Sequence, residues 1–247
     1  MTKSVLKSTF LALGLLGLSA LPAAAQSFTL DLGDGATTSG RIIQLMALIT
    51  VLSLAPSILV MVTSFTRIVV VLSFLRNAIG LQQTPPNAVL ISLALFLTAF
   101  IMAPTAETAY REGIAPLMEN KLTETEALER TMKPLHAFML GHTRDQDLKL
   151  FIDLAKLPEI ETREQTPLRA LIPAFMISEL RRAFEIGFLL FVPFLIIDMV
   201  VASILMSMGM MMLPPVVISL PFKLIFFVLV DGWYLVAGSL VQSFGVN

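Results

Sequence analysis

Three charged side chains stand alone inside long apolar runs: Asp198, Lys223 and Asp231. A charge at membrane depth is costly and faces protein or water, so each is a candidate for ion or proton chemistry. Spacing gives two of them a second reading. The apolar runs form a hairpin with its midpoint near residue 210 or 211, and Asp198 and Lys223 lie at equal distances either side. An antiparallel hairpin brings both to one depth, where they neutralise each other. That structural pair is preferred to a proton relay. A second cluster holds Glu179, Arg181, Arg182 and Glu185. Glu179/Arg182 (i, i+3) and Arg181/Glu185 (i, i+4) are helix-spaced pairs that mark a helix start. No nucleophile or metal ligand accompanies them, so a solvated face is preferred to a general acid/base pair. His136 and His142 do not share a helix face and read as helix-surface residues. The chain has no Cys, which excludes disulfides, thiolate metal sites and thiol nucleophiles. Dinucleotide, Walker, nucleophile-elbow and zinc patterns are absent, so neither a cofactor nor an enzyme is indicated.

A different kind of chemistry sits between Asp198 and Lys223. Met206, Met208, Met210, Met211 and Met212 crowd around Gly209 and the pair Pro214-Pro215. Gly and a double Pro interrupt helical hydrogen bonding. Non-helical backbone at membrane depth belongs in protein or beside a cavity. Thioether side chains are soft and unbranched, so this loop is a candidate deformable seal. Taken alone, it reads first as a plain hairpin turn whose Met residues fill gaps.

The elements that must carry these residues are apolar helices. The chain is 56% hydrophobic and 14% charged, against about 25% charged in an ordinary soluble domain. Its mean hydropathy is +0.83. An all-α integral membrane protein follows, and the net charge of -1 gives no case for nucleic acid. Residues 1–25 read as a signal peptide, with Lys3 and Lys7 before a short apolar core and cleavage between Ala25 and Gln26. The mature N-terminus is then translocated, and 26–41 is a flexible polar lead-in. Residues 42–104 form a first apolar hairpin, expected to break at Pro56 and to turn at Pro85-Pro86. Arg67 and Arg76 place that turn on the cytoplasmic side.

Residues 105–185 hold 25 of the chain's 35 charged residues and read as a helix-rich polar insert facing the periplasm. Two capping boxes are expected there, Thr123–Glu126 and Thr143–Gln146. Leu148, Phe151, Ile152 and Ala155 predict an amphipathic helix stopped by Pro158. Residues 186–247 form the second hairpin, with the Met-rich loop at 206–215.

Four long runs carry a family resemblance: SFTRIVVVLSFLRNAIGLQQTPPN (64–87), PAFMISELRRAFEIGF (173–188), VPFLIIDMVVASILMSMGMMMLPP (192–215) and SLPFKLIFFVLVDGW (219–233). Together they resemble the FliP family of type III export-gate proteins, over about residues 42–244. The signal peptide favours the flagellar branch over the virulence branch. The resemblance implies a pentamer, wound with FliQ-like and FliR-like subunits into a helical ring and working with FlhB-like and FlhA-like components. Much of such a complex is held above the bilayer plane. The resemblance implies that unfolded flagellar rod, hook and filament proteins cross the inner membrane at the flagellar basal body. It gives Met208, Met210, Met211 and Met212 the role of a pore gasket. For the Glu179, Arg181, Arg182, Glu185 cluster it implies ion pairing within or between subunits, and Arg67 is counted with Asp198, Lys223 and Asp231 as an intramembrane or intersubunit charge. The competing class is a small polytopic transporter using Asp198, Lys223 and Asp231.

Overall fold

The computed structural model describes residues 38–158, 162–210 and 212–245. The expected cleavage site at Ala25 and Gln26, and Met211, lie outside the described residues. The chain divides into two units, Met1–Val51 and Leu52–Asn247. Every described regular element is helical. Helix α1 is Thr38–Met61 and α2 is Phe65–Ile79. Helix α3 is Asn87–Ala109, continued by a π-helical turn at Tyr110–Ile114 and a short α4, Ala115–Met118. The insert contributes α5, Glu124–His142, and α6, Asp145–Leu154. Helix α7 is Leu168–Ser207, α8 is Pro215–Leu229 and α9 is Gly232–Gln242.

Helix α2 is the hub of the larger unit. Ile68, Val71, Leu72 and Leu75 recur at helical spacing and are fully buried. They pack with α3, α7, α8 and α9 in one core that includes Ala94, Ala183, Phe194, Phe227 and Leu240. Gly80 ends α2 in the left-handed conformation, φ 92°, and Leu81 N–H closes back on the Arg76 carbonyl at 3.2 Å. A second core joins Val62 to the insert and to the start of α7, through Met139, Leu148, Leu171 and Phe175.

The expected break at Pro56 does not occur. The backbone stays helical through position 56 and turns at 62–64, where Ser64 precedes α2. Pro104, Pro173 and Pro193 also lie inside helices. Helix α7 therefore has no boundary at 185/186. Its 40 residues run about 60 Å at 1.5 Å per residue, twice a hydrocarbon core of about 30 Å. Its first half is buried in the insert through Ala170, Leu171, Ala174, Phe175 and Ser178. Charge density marked 168–185 as insert sequence, yet covalently this stretch is the first half of a membrane-length helix.

Among the described residues, Asn87–Met118 and Leu168–Ser207 are each long and apolar enough to cross a membrane. The pair α8 and α9 becomes a third candidate when counted as one span bent by 63°. Asp231 sits at that bend with φ 49°.

In the insert, the Thr123–Glu126 box forms with both reciprocal bonds. The Thr143–Gln146 box does not. Thr143 Oγ instead donates to the Met139 carbonyl at 2.7 Å, and Arg144 precedes α6 without a side-chain cap. Helix α6 ends at Leu154, ahead of Pro158, because Lys156 turns left-handed at φ 49°. At Gly113, in the π-helical turn, a Cβ would collide with Thr131 of α5. The missing side chain lets the two segments touch.

Candidate functional site

Helix α2 is held near each of its ends by a buried cation-anion contact. Near its start, Arg67 is 2% exposed and Glu179 of α7 is fully buried. Arg67 donates to Glu179 from Nε at 2.8 Å and from Nη2 at 2.5 Å, a two-pronged fork. The remaining donor, Nη1, reaches the Ser243 carbonyl at 3.1 Å and the Ser243 hydroxyl at 3.0 Å. The guanidinium carbon lies 3.6 Å from the centre of the Phe244 ring. Arg67 thus binds α7 on one side and the residues after α9 on the other. A buried Arg in a low-dielectric core needs this full set of acceptors. The arrangement corrects two expectations. Glu179 pairs with Arg67, 112 positions away, and not with Arg182. Arg67 is an internal residue and marks no membrane face.

At the far end of α2, Lys223 of α8 is 3% exposed. Its Nζ donates to Asp198 Oδ2 at 2.6 Å and to the Ala78 carbonyl at 3.3 Å. Ser219 Oγ, one turn earlier, donates to Asp198 Oδ1 at 2.5 Å. Ala78 lies in the last turn of α2, where carbonyls lack helical partners and a cation is favoured by the helix dipole. The structure therefore brings Asp198 and Lys223 together and adds Ser219 and the end of α2. Asp231 is not part of this group. It is exposed at the α8–α9 bend, eight residues beyond Lys223.

The remaining expected charges fall on the insert and along α7. Arg181 donates to Glu185 at 2.9 Å, with both side chains exposed. Arg182 is exposed. Arg144 grips Asp147 from Nε at 2.9 Å and Nη2 at 2.7 Å, while Ser178 Oγ donates to the same carboxylate at 2.5 Å. Burial pushes the Asp147 carboxyl up, but the Arg144 and Ser178 hydrogen bonds outweigh it and hold the group below the usual carboxylate range. His136 Nε2 and the Thr166 carbonyl are 2.8 Å apart, and His142 lies 5.1 Å from the Phe244 ring. Both histidines are half-buried links between elements, where helix-surface positions were expected.

The Met loop differs from all of these. After α7 ends at Ser207, Gly209 turns with φ 75° and Met210 N–H returns to the Leu205 carbonyl at 3.0 Å. Met208, Met210 and Met212 are 66%, 43% and 98% exposed, so within the chain these side chains are largely uncovered. An apolar, irregular, uncovered loop thus joins the membrane-length helix α7 to the bent pair α8 and α9. Among the described residues, no group of His, Cys, Asp and Glu could hold a metal ion.

The model of the FliP family matches residues 48–240. The chain belongs to the FliP family. It is 63% identical to the flagellar biosynthetic protein FliP of Caulobacter vibrioides, over 91% of this chain and 85% of that one. Identity to the proteins of the same name from Bacillus subtilis and Rhizobium meliloti is 58% and 55%, covering 82% and 90% of this chain and 91% and 93% of theirs. Membership makes this FliP-family chain a flagellar biosynthetic protein of the membrane-bound export apparatus, not an enzyme. The matched residues take in both ion pairs and the whole Met loop; Ser243 and Phe244 lie beyond them. Sequence reasoning missed these two partners of Arg67, the hydrogen-bond acceptor Ser243 and the Phe244 ring. They look like an ordinary chain end, and only the fold brings them to α2.

Proposed function

We propose that this FliP-family chain is a core subunit of the flagellar export gate, lining the passage for unfolded rod, hook and filament proteins across the inner membrane. Five copies would assemble with FliQ-like and FliR-like subunits, next to FlhB-like and FlhA-like components. The polar insert faces the periplasm in this reading. The observation that carries it is the Met loop: non-helical, apolar, largely uncovered, and set between the membrane-length helix α7 and the bent pair α8 and α9. Irregular backbone at that depth needs protein or a water-filled cavity beside it, and a ring of loops around a passage supplies both. Thioethers can close on one another, yet yield to side chains of varied shape. Met208, Met210, Met211 and Met212 are the proposed gasket.

The ion pairs support the gate over a transporter. Asp198 and Lys223 are in contact and share their remaining bonds with Ser219 and Ala78. A neutralised, hydrogen-bonded pair is poorly suited to pass ions along a path.

Native mass spectrometry of the detergent-extracted complex, co-expressed with the neighbouring export genes, tests this. Five copies with two other small membrane proteins is the expected mass. A monomer or a bare dimer would reject the gate. Membranes carrying M210A/M211A/M212A should hold assembled complex and leak small ions; unchanged conductance would remove the sealing role.

A further inference from the structure

The chain contains 14 Met and no Cys, so its sulfur chemistry rests on thioethers alone. Among the described thioethers, three environments bear on their reactivity. Met139 is fully buried and Met102 is 7% exposed, both inside protein cores. Met199 is 65% exposed, but on regular helical backbone in the apolar stretch of α7, a surface for hydrocarbon or a packed neighbour. Met208 and Met212 are at least as exposed, and Met210 is 43% exposed, yet they sit on irregular backbone. Non-helical backbone at membrane depth lies against protein or a water-filled cavity and not against hydrocarbon. Water, or a protein surface that opens to water, must lie beside the loop. A small polar oxidant travels through water and not through hydrocarbon. It therefore meets the loop thioethers and misses Met199.

We propose that Met208, Met210 and Met212 form a site of oxidative modification, where oxidants of the hypochlorous acid class convert the thioethers to sulfoxides and loosen the loop's seal. The sulfur lone pair attacks the oxygen of hypochlorous acid and the O–Cl bond breaks. Chloride leaves, the hydroxyl proton passes to water, and the sulfur is oxidised by two electrons. Each event turns a flexible apolar group into a polar one with a strong acceptor oxygen. Sulfoxides draw water into a contact that closes only while it is dry. The loss of sealing rests on the gate reading above; the selectivity of oxidation does not.

The test uses membranes holding the assembled apparatus, titrated with hypochlorous acid and read by peptide mass spectrometry. Met118, 72% exposed at the end of α4 in the insert, serves as the reference for a water-facing thioether. Met208, Met210 and Met212 should gain oxygen at a rate like that of Met118 and roughly tenfold faster than Met102, Met139 and Met199. Loop methionines no faster than Met139 would overturn the site. The second arm is the ratio of conductance after oxidant to conductance before it. That ratio should rise several-fold in the natural protein and stay near one in M208L/M210L/M211L/M212L, whatever each starts from. Equal ratios in both would overturn the loosening even where oxidation is selective. Failure of the gate reading appears elsewhere, as the absence of a leak in untreated M210A/M211A/M212A membranes.

Discussion

The two buried cation-anion contacts on α2 use different chemistry for different burdens. Arg67 and Glu179 are both sealed in the core and meet through two parallel hydrogen bonds, with a carbonyl, a hydroxyl and a ring taking up the rest of the guanidinium. Lys223 makes one contact with an Asp198 whose side chain is 25% exposed, and its second donor goes to a helix-end carbonyl. A planar fork suits a site closed on both partners, where every proton needs a fixed acceptor; a compact ammonium can be served by one carboxylate and one carbonyl. The first contact joins three parts of the chain distant in sequence: α2, α7 and the residues after α9. The second joins the two arms of the Met hairpin to each other and to the end of α2. One contact thus ties together three distant parts of the larger unit, and the other sets the spacing beneath the loop.

The largest effect should come from breaking the more enclosed pair. E179A leaves the Arg67 charge buried without its anion and should cost about 3–5 kcal/mol, read as thermal unfolding of the detergent-solubilised chain. R67M/E179L removes both charges and should recover most of that loss. If E179A costs no more than an exposed substitution, the contrast between the two pairs collapses. A smaller effect is expected at Asp198, whose carboxylate is only partly covered within the chain. D198K should cost about 2 kcal/mol, below the range for a fully buried pair. D198K/K223D should restore part of it, with Ser219 and Ala78 limiting the recovery because they are placed for the original polarity. A double reversal more damaging than either single change would mean that the two side chains do not act as a pair.

These pairs also show what can be read from a sequence. Asp198 and Lys223 are 25 positions apart on arms of a single hairpin, and a Gly-Pro break between apolar runs locates the midpoint. Symmetry about that midpoint is enough to match their depths. Arg67 and Glu179 are 112 positions apart, and no periodicity links α2 to α7. Local spacing offered Arg182 to Glu179 instead, a geometry that a helix permits but the core excludes, since Glu179 faces inward and Arg182 outward. Helix ends were mislocated for a related reason. Pro56 was expected to break the first helix, yet the backbone stays helical from Thr38 to Met61. Charge density likewise assigned the first half of α7 to the insert, because sequence composition reports a segment's surroundings and not its covalent continuity. All-helical architecture was legible throughout, since long apolar runs with capped polar helices between them admit little else.

The smallest expected effect sharpens the contrast from its exposed side. Thr123 and Glu126 form a charge-assisted arrangement in open solvent, where burial contributes nothing. Glu126 accepts from the Thr123 N–H at 3.0 Å and from the Thr123 hydroxyl at 2.9 Å, and the backbone bond first, then the hydroxyl, hold its carboxyl below the usual range. The Thr123 oxygen in turn accepts from the Glu126 N–H at 3.4 Å. T123A should cost about 1 kcal/mol near neutral pH. A folded-state carboxyl lowered below its unfolded value stabilises fully above the unfolded pKa, and that support disappears as pH falls through the folded one. The hydroxyl-to-carboxylate bond therefore loses its charge assistance in acid, whereas the N–H-to-hydroxyl bond persists. Amide exchange at Glu126 should thus differ most between the natural protein and T123A at neutral pH, with the gap narrowing but not closing below the ordinary glutamate range. A gap independent of pH would show that the hydroxyl caps the backbone alone, and that Glu126 adds nothing through its charge.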